Sequence, residues 1–200
     1  MSIKESIKNA LILLAITVFA GLILGLIYEN TKGIIADREA ADKKNAYYEV
    51  FSGASDFVPV EGFMTDAERA ALDSAGFDKV AIDELMQATG SDGSVAGYVF
   101  TVTTSEGYGG DITFTAGLSS DGTLNGISIL NINETAGLGM NAEKVLKPQF
   151  AGKHAEKLAY TKTGAQSDNE IDAISGATIT TNAFVNAVNC CLQYYADMLN

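Results

Sequence analysis

The chain is poor in the residues that build metal and thiol chemistry. Its 200 residues include two cysteines and one histidine. Iron–sulfur clusters take four protein ligands, so Cys190 and Cys191 cannot hold one by themselves. As neighbours on a predicted helix they point in different directions, which suits them poorly to a disulfide. Cys191 falls on the apolar stripe of that helix and reads as core. His154 has no cysteine or carboxylate cluster at metal-ligand spacing, so no metal site is expected. Basic residues are also scarce. Thirteen Lys and Arg stand against 25 Asp and Glu, a formal net charge of −12. A nucleic-acid partner needs clustered Lys and Arg and is excluded on that ground. The acidic surface reads as a solubilising face that also offers a docking surface. With 2 prolines and 20 glycines the chain suits tight turns rather than a Pro-rich linker. It has no low-complexity tract and no internal repeat. It has no GxGxxG dinucleotide turn, and no acid, base and nucleophile set, so no catalytic side chain is expected.

One long apolar run is present. Ala10 to Tyr28 carries no charge, and a helix of that length spans roughly 28 Å, close to the hydrocarbon thickness of a bilayer. Lys4 and Lys8 flank one end, and Tyr28, Glu29, Asn30 and Lys32 the other. A cleaved signal peptide competes with an anchor, because Val18-Phe19-Ala20 resembles a cleavage site. The run continues beyond it through Leu22, Ile23, Leu24, Leu26 and Ile27, where a signal peptide turns polar, and this favours an uncleaved anchor. Gly21 and Gly25 form a small-xxx-small face that admits a neighbouring helix, and glycine is also simply common in membrane helices. Charge does not settle orientation, since lysines and arginines lie on both sides. Residues 1–32 hold three Lys against two Glu, so the acidity belongs to the remainder.

The remainder reads as one α+β domain. The spacing of Ile34, Ala41 and Tyr48 predicts a helix over 33–51, and Thr65-Asp66-Ala67-Glu68 is a capping box that opens a short helix ending near Gly76. A strand is expected within 78–88. Tyr98–Thr103, Ile112–Ala116 and Leu124–Ile132 have strand composition and are joined by Gly-rich turns, which predicts an antiparallel meander. A helix is expected over Asn141–Lys153, limited by Pro148, followed by a polar loop to Glu170. The last helix is placed at about Thr181 to Leu199, with Phe184, Val188, Cys191, Tyr195 and Met198 on one face. The expected organisation is therefore an N-terminal segment 1–9, a transmembrane helix 10–28, a helical connector 29–75, and a domain 76–200 in which helices pack on an antiparallel sheet.

Just before the last helix stands Asp172-Ala173-Ile174-Ser175-Gly176-Ala177-Thr178. A helix start offers free N–H groups and a positive dipole end, which suits a phosphate. Gly176 permits backbone shapes other residues resist, and Ala177 leaves room for a bulky group. Thr178, Thr180 and Thr181 bring hydroxyls to the first turn. The same residues also describe an ordinary Gly turn and Thr cap.

This run resembles the flavinylation motif of the G subunit of the Rnf ion-translocating ferredoxin:NAD oxidoreductase, and of the C subunit of the sodium-translocating NADH:quinone reductase. Three other stretches share the resemblance: Gly107-Tyr108-Gly109-Gly110, Glu134-Thr135-Ala136-Gly137-Leu138-Gly139, and Gln149-Phe150-Ala151-Gly152-Lys153. The short length fits the Rnf family better. Ala136 stands where the family has Pro, Met140 where a polar residue is typical, and Thr181 where Ser is frequent. These departures bear on the shape of the 134–140 loop and leave the Thr178 hydroxyl in place.

The resemblance implies FMN joined by a phosphoester to Thr178. It implies that Ser175, Gly176, Ala177 and Thr181 line the phosphate, and that Glu134, Thr135, Gly137, Leu138 and Gly139 form the loop near the isoalloxazine ring. It implies that Asp172 assists an attaching FMN transferase. The implied function is an electron-transfer subunit of a membrane-bound, multi-subunit redox complex, working between reduced ferredoxin and NAD and coupled to sodium or proton transport. The implied placement is a single-pass membrane protein with a cytoplasmic N-terminus and an extracytoplasmic FMN domain. A quinone-reductase subunit, a stand-alone membrane-anchored flavoprotein, and a cofactor-free extracytoplasmic interaction protein are the alternatives.

Overall fold

The computed structural model describes residues 3–199. The chain divides into two compact units, Met1–Lys43 and Lys44–Asn200. Helix α1 (Ile3–Val50) begins in the first and ends in the second. In the first unit the large apolar side chains from Leu11 to Tyr28 are exposed. Its polar groups close within the helix: Thr17 donates to the Leu13 carbonyl at 2.8 Å and Thr31 to the Ile27 carbonyl at 2.9 Å. A helix that is apolar all round, with its polar groups satisfied internally, suits a hydrocarbon surrounding. It is long and apolar enough to cross a membrane.

The connector expected to be helical over 29–75 is helical to Val50 and again in α2 (Asp66–Leu72). Between them β1 (Asp56–Pro59) joins the sheet at its edge. Pro59 lacks an N–H, which is tolerated on an edge strand. The capping box forms as expected: Glu68 N–H donates to Thr65 Oγ1, and Thr65 N–H donates to Glu68 Oε2 at 2.6 Å. The sheet continues with β2 (Val80–Thr89), β3 (Val95–Thr104), β4 (Ile112–Ser119) and β5 (Leu124–Asn131), all antiparallel and in sequence order. The three strands of the predicted meander are β3, β4 and β5.

Short links join adjacent strands, and alternation then sends every second side chain to one face. Phe100, Val102, Phe114, Ala116 and Leu118 turn to that face and meet α5 (Thr178–Tyr194). The Phe114 and Phe184 rings lie 5.0 Å apart between centroids. Phe184, Val188, Cys191 and Tyr195 are buried, as their spacing predicts. Met198 is exposed, because it lies in the widened last turn Tyr195–Leu199. The helix also begins earlier than predicted, at Thr178 rather than Thr181.

The helix expected over Asn141–Lys153 breaks into a turn at Gly139–Asn141, α3 (Ala142–Val145) and α4 (Lys147–Phe150). Pro148 cannot donate to a carbonyl four residues back, so no continuous helix passes through it. The polar stretch read as loop contains a parallel pair, β6 (Ala159–Thr161) and β7 (Glu170–Asp172). The Asn189 side chain of α5 holds the approach to it by two bonds with Leu158, at 2.7 and 2.9 Å.

The end of α1 covers part of the other face of the sheet. Tyr47, Val50 and Phe51 pack with Ala88 and Val99. Beneath them the register aligns Glu84, Thr101, Thr115 and Ser128 across four strands. The Tyr47 hydroxyl donates to Glu84, and Ser128 donates to Glu49. Burial, with the Glu84 contact, pushes the Tyr47 phenol well above its ordinary value. Lys147 of α4 reaches Glu49 at 2.7 Å.

Candidate functional site

The segment before α5 is shaped by one threonine. Ile174 N–H donates to Thr181 Oγ1 at 3.1 Å, and the Thr181 hydroxyl donates to the Ala177 carbonyl at 3.0 Å. Ala177 N–H closes the turn on the Ile174 carbonyl at 3.0 Å. Gly176 sits inside it at φ +77°, which favours glycine. Ala177 is the residue before the helix and has no side chain to cap it. The N–H groups of Thr178, Ile179 and Thr180 therefore have no partner within the helix. Thr178 is the first helical residue and is half-buried.

This helix start opens into a cavity of about 470 Å³. The sequence-predicted residues Thr178, Gly176, Ala177, Glu134, Thr135, Leu138 and Gly139 line it. Ser175, Gly137 and Thr181 are not in the lining. Thr181 is fully buried, its hydroxyl engaged in the turn rather than turned to the cavity. Three further residues line the cavity without having been expected there: Tyr108, Ile179 and Thr180. Tyr108 and Ile179 are 71% and 53% exposed, more than the other exposed large apolar side chains of the second unit. The only sequence signal for Tyr108 is an aromatic inside a Gly-rich turn.

Three loops distant in sequence meet here. Tyr108 N–H donates to Glu134 Oε1 at 2.7 Å, joining the 107–110 turn to the 134–139 loop. Asn186 of α5 donates to Glu106 at 2.8 Å, joining that turn to the helix. At Gly139 a Cβ would stand 2.7 Å from both Thr180 Oγ1 and Glu134 Cβ, so the loop reaches the helix only with glycine there. The 135–141 segment, with Ala136 in place of the expected Pro, is held by its own bonds. Leu138 N–H donates to the Thr135 carbonyl at 3.1 Å and Asn141 Nδ2 to the Gly137 carbonyl at 2.7 Å. The Asp172 carboxylate accepts Ala165 N–H at 2.6 Å, which fixes the preceding loop.

The donor set fits a phosphate attached to a flat, largely apolar ring system. Unpaired N–H groups at the start of a long helix suit the anion. Leu138, Ala177, Ile179 and Tyr108 offer apolar walls, and the volume is in the range of small-molecule and cofactor sites. Among the described residues no group of three or more His, Cys, Asp or Glu is placed to hold a metal ion.

Comparison with known proteins bears on the same residues. A family model described as FMN-binding domain matches residues 107–193, which contain all three loops and α5 to its last turn. A second, described as RnfG N-terminal region, matches residues 1–50, the span of α1. The chain is similar to the G subunit of the Na(+)-translocating ferredoxin:NAD(+) oxidoreductase complex of Acetobacterium woodii, 36% identical over 98% of this chain and 94% of that protein. It is also similar to the G subunit of the ion-translocating oxidoreductase complex of Methanosarcina acetivorans, 30% identical over 96% of this chain and 95% of that protein. Among solved structures, Shewanella oneidensis NqrC aligns with a TM-score of 0.45 and 19% identity, covering 55% of this chain and 54% of that one.

Proposed function

We propose, because the chain belongs to the family of Rnf-type ion-translocating oxidoreductase G subunits, that it relays electrons through an FMN esterified to Thr178. The observation that carries this reading is the position of Thr178. It is the first residue of a long helix that no side chain caps, and it lines the cavity. Bound FMN supplies one- and two-electron redox chemistry, and the protein supplies position and electrostatics.

The roles follow from the residues around it. The N–H groups at the start of α5 hold the phosphate, and the helix dipole adds roughly 0.3–1 kcal/mol for a nearby anion. Leu138, Ile179 and the Tyr108 ring offer apolar surface to the flavin. Thr135 and Gly139 bound it on the loop side, and Glu134 keeps that loop against the 107–110 turn. Ser175, Gly176 and Ala177 form the turn that presents the acceptor, and Thr181 holds the turn closed. Gly137 shapes the loop from outside the cavity.

A tether matters for a carrier on the outer side of a membrane. A dissociated flavin is lost there, whereas a linked one is kept at high effective concentration. In this reading residues 10–28 span the membrane once, the N-terminus is cytoplasmic and the FMN domain is extracytoplasmic. An FMN transferase installs the flavin during maturation, and other subunits of the complex supply the neighbouring redox centres. The test is intact mass and in-gel fluorescence of the chain purified from a host with the transferase. The expected gain is one FMN less one water, carried by the peptide containing Thr178, and Thr178→Val abolishes it. A native chain of unmodified mass sinks the reading.

A further inference from the structure

We propose that Gln149 is a positioning residue for flavin attachment: its side-chain amide fixes the main chain at Asp172 and so sets the segment that presents Thr178. The proposal rests on the reading of Thr178 given above. Asp172 is the last residue of β7, which among the described residues has β6 as its one strand partner. On the other side Asp172 N–H donates to Gln149 Oε1 at 2.7 Å, and Gln149 Nε2 donates to the Asp172 carbonyl at 3.1 Å. A primary amide carries both the donor and the acceptor of a peptide unit. Gln149 thus acts as a strand one residue long, completing the edge of β7 where the acceptor segment begins.

The amide is itself held firmly. Nε2 also donates to the Val145 carbonyl at 2.6 Å. Leu146 and Phe150, on either side of it in sequence, are fully buried. Lys147 fastens the same short helix to Glu49. From Asp172 to Thr178 the chain is therefore gripped at both ends, by Gln149 at the start and by the Thr181 turn at the finish. Ser175 and Gly176 lie exposed between them. Gln149 does not line the cavity, so its influence passes through the backbone.

Attachment forms one P–O bond between Thr178 Oγ and the FMN phosphorus, and breaks the bond from that phosphorus to a leaving group. The donor is a flavin dinucleotide, the leaving group a nucleoside monophosphate, and the hydroxyl proton passes to solvent. Such a displacement depends steeply on where the attacking oxygen sits; a misplacement of about 1 Å costs about a hundredfold.

The test uses the full chain in detergent, made without the transferase and then given purified FMN transferase and flavin dinucleotide. Gln149→Met keeps the bulk and removes the hydrogen bonds. Gln149→Glu keeps an acceptor for Asp172 N–H. Initial attachment rates are read by mass at several chain concentrations, with Thr178→Val as the blank. Deuterium exchange is followed in the flavin-free chains. The expected result for Gln149→Met is a kcat lowered at least about tenfold with KM little changed. Gln149→Glu recovers part of the rate. Exchange quickens over 172–178 and is unchanged in β3 and β4. Wild-type rates in Gln149→Met, or faster exchange throughout the sheet, overturn the proposal. If the wild-type chain itself takes no flavin, the reading of Thr178 fails instead, and the exchange measurement alone decides whether Gln149 fixes the segment.

Discussion

Thr181→Val removes a hydroxyl from the fold and almost no volume. The structure gives that hydroxyl two bonds, from Ile174 N–H at 3.1 Å and to the Ala177 carbonyl at 3.0 Å, in a side chain with no exposure. The Ala177 carbonyl keeps a partner in the variant, because Thr181 N–H also donates to it at 3.0 Å. The Ile174 N–H does not. A buried donor left unpaired costs about 1–3 kcal/mol. For a unit of this size each kcal/mol lowers Tm by about 2–4 °C, so the central expectation is a drop of about 4–8 °C. The assay is a thermal melt of the flavin-free full chain in detergent, followed by near-ultraviolet circular dichroism of its 8 tyrosines. Thr181→Ser, which keeps the oxygen and loses one buried methyl, falls by only about 2–4 °C. The flavin-free state matters because a threonine whose work is contact with the phosphate changes only the loaded protein. A Thr181→Val melt equal to wild type without flavin refutes the structural role assigned to this hydroxyl.

Phe184→Ala deletes the fully buried ring that pairs with Phe114 and costs about 3–5 kcal/mol, read as a lower denaturation midpoint at unchanged slope. Partial burial works against ionisation of Glu49, but the Lys147 ammonium and the Ser128 hydroxyl outweigh it and hold its carboxyl below the usual range. Its stabilisation is therefore complete above the ordinary glutamate pKa and fades as pH falls through the depressed value. The Tm difference between wild type and Glu49→Gln should accordingly shrink on acidification from pH 7, and a difference that persists unchanged to pH 2 contradicts it. Burial pushes the Cys190 thiol up to about 12 and the Cys191 thiol well above its ordinary value. Neither should react with a thiol reagent at pH 8 in the native chain, and both should react in denaturant; native labelling within minutes contradicts that burial.

What can be read directly from the chain is whatever repeats locally. Alternation in 112–116 and strand composition in 98–103 and 124–132 mark three strands that pair in sequence order, and short turn-forming links make them neighbours. The helical stripe from Phe184 to Tyr195 marks the element that covers them. Pairings set by distant partners leave no such trace. β6 and β7 are three residues each, and side chains of α5 and α4 bond the chain at their ends. β1 is four residues and carries a proline. The cavity needs residues near 108, 135 and 177 together, and nothing periodic links these numbers. The quoted motifs bring most of its lining to attention, yet Tyr108 escapes them as a site residue, because an aromatic in a turn has no phase to reveal where it points.

Thr178 and Thr181 show how far periodicity reaches when it is followed to its end. Phe184 and Val188 set the phase of the buried face. Thr181 lies three residues before Phe184 and Ala177 four before that, and both are buried. The stripe therefore already assigns Thr181 to the core, where a hydroxyl must find protein partners because water is excluded. Thr178 lies one residue past Ala177, and its main chain has no preceding helical turn to bond with. Its side chain is turned about 100° from that of Ala177 around the axis, off the buried face. Thr181 is buried with its hydroxyl engaged in the turn, whereas Thr178 is half-buried in the cavity wall. A helix begun three residues later, at Thr181, would have hidden this contrast, since both residues would then read as hydroxyls in a loop. The distinction between a cavity-lining and a structural threonine is thus tied to where the helix starts, and the turn that Thr181 itself closes stands at that start.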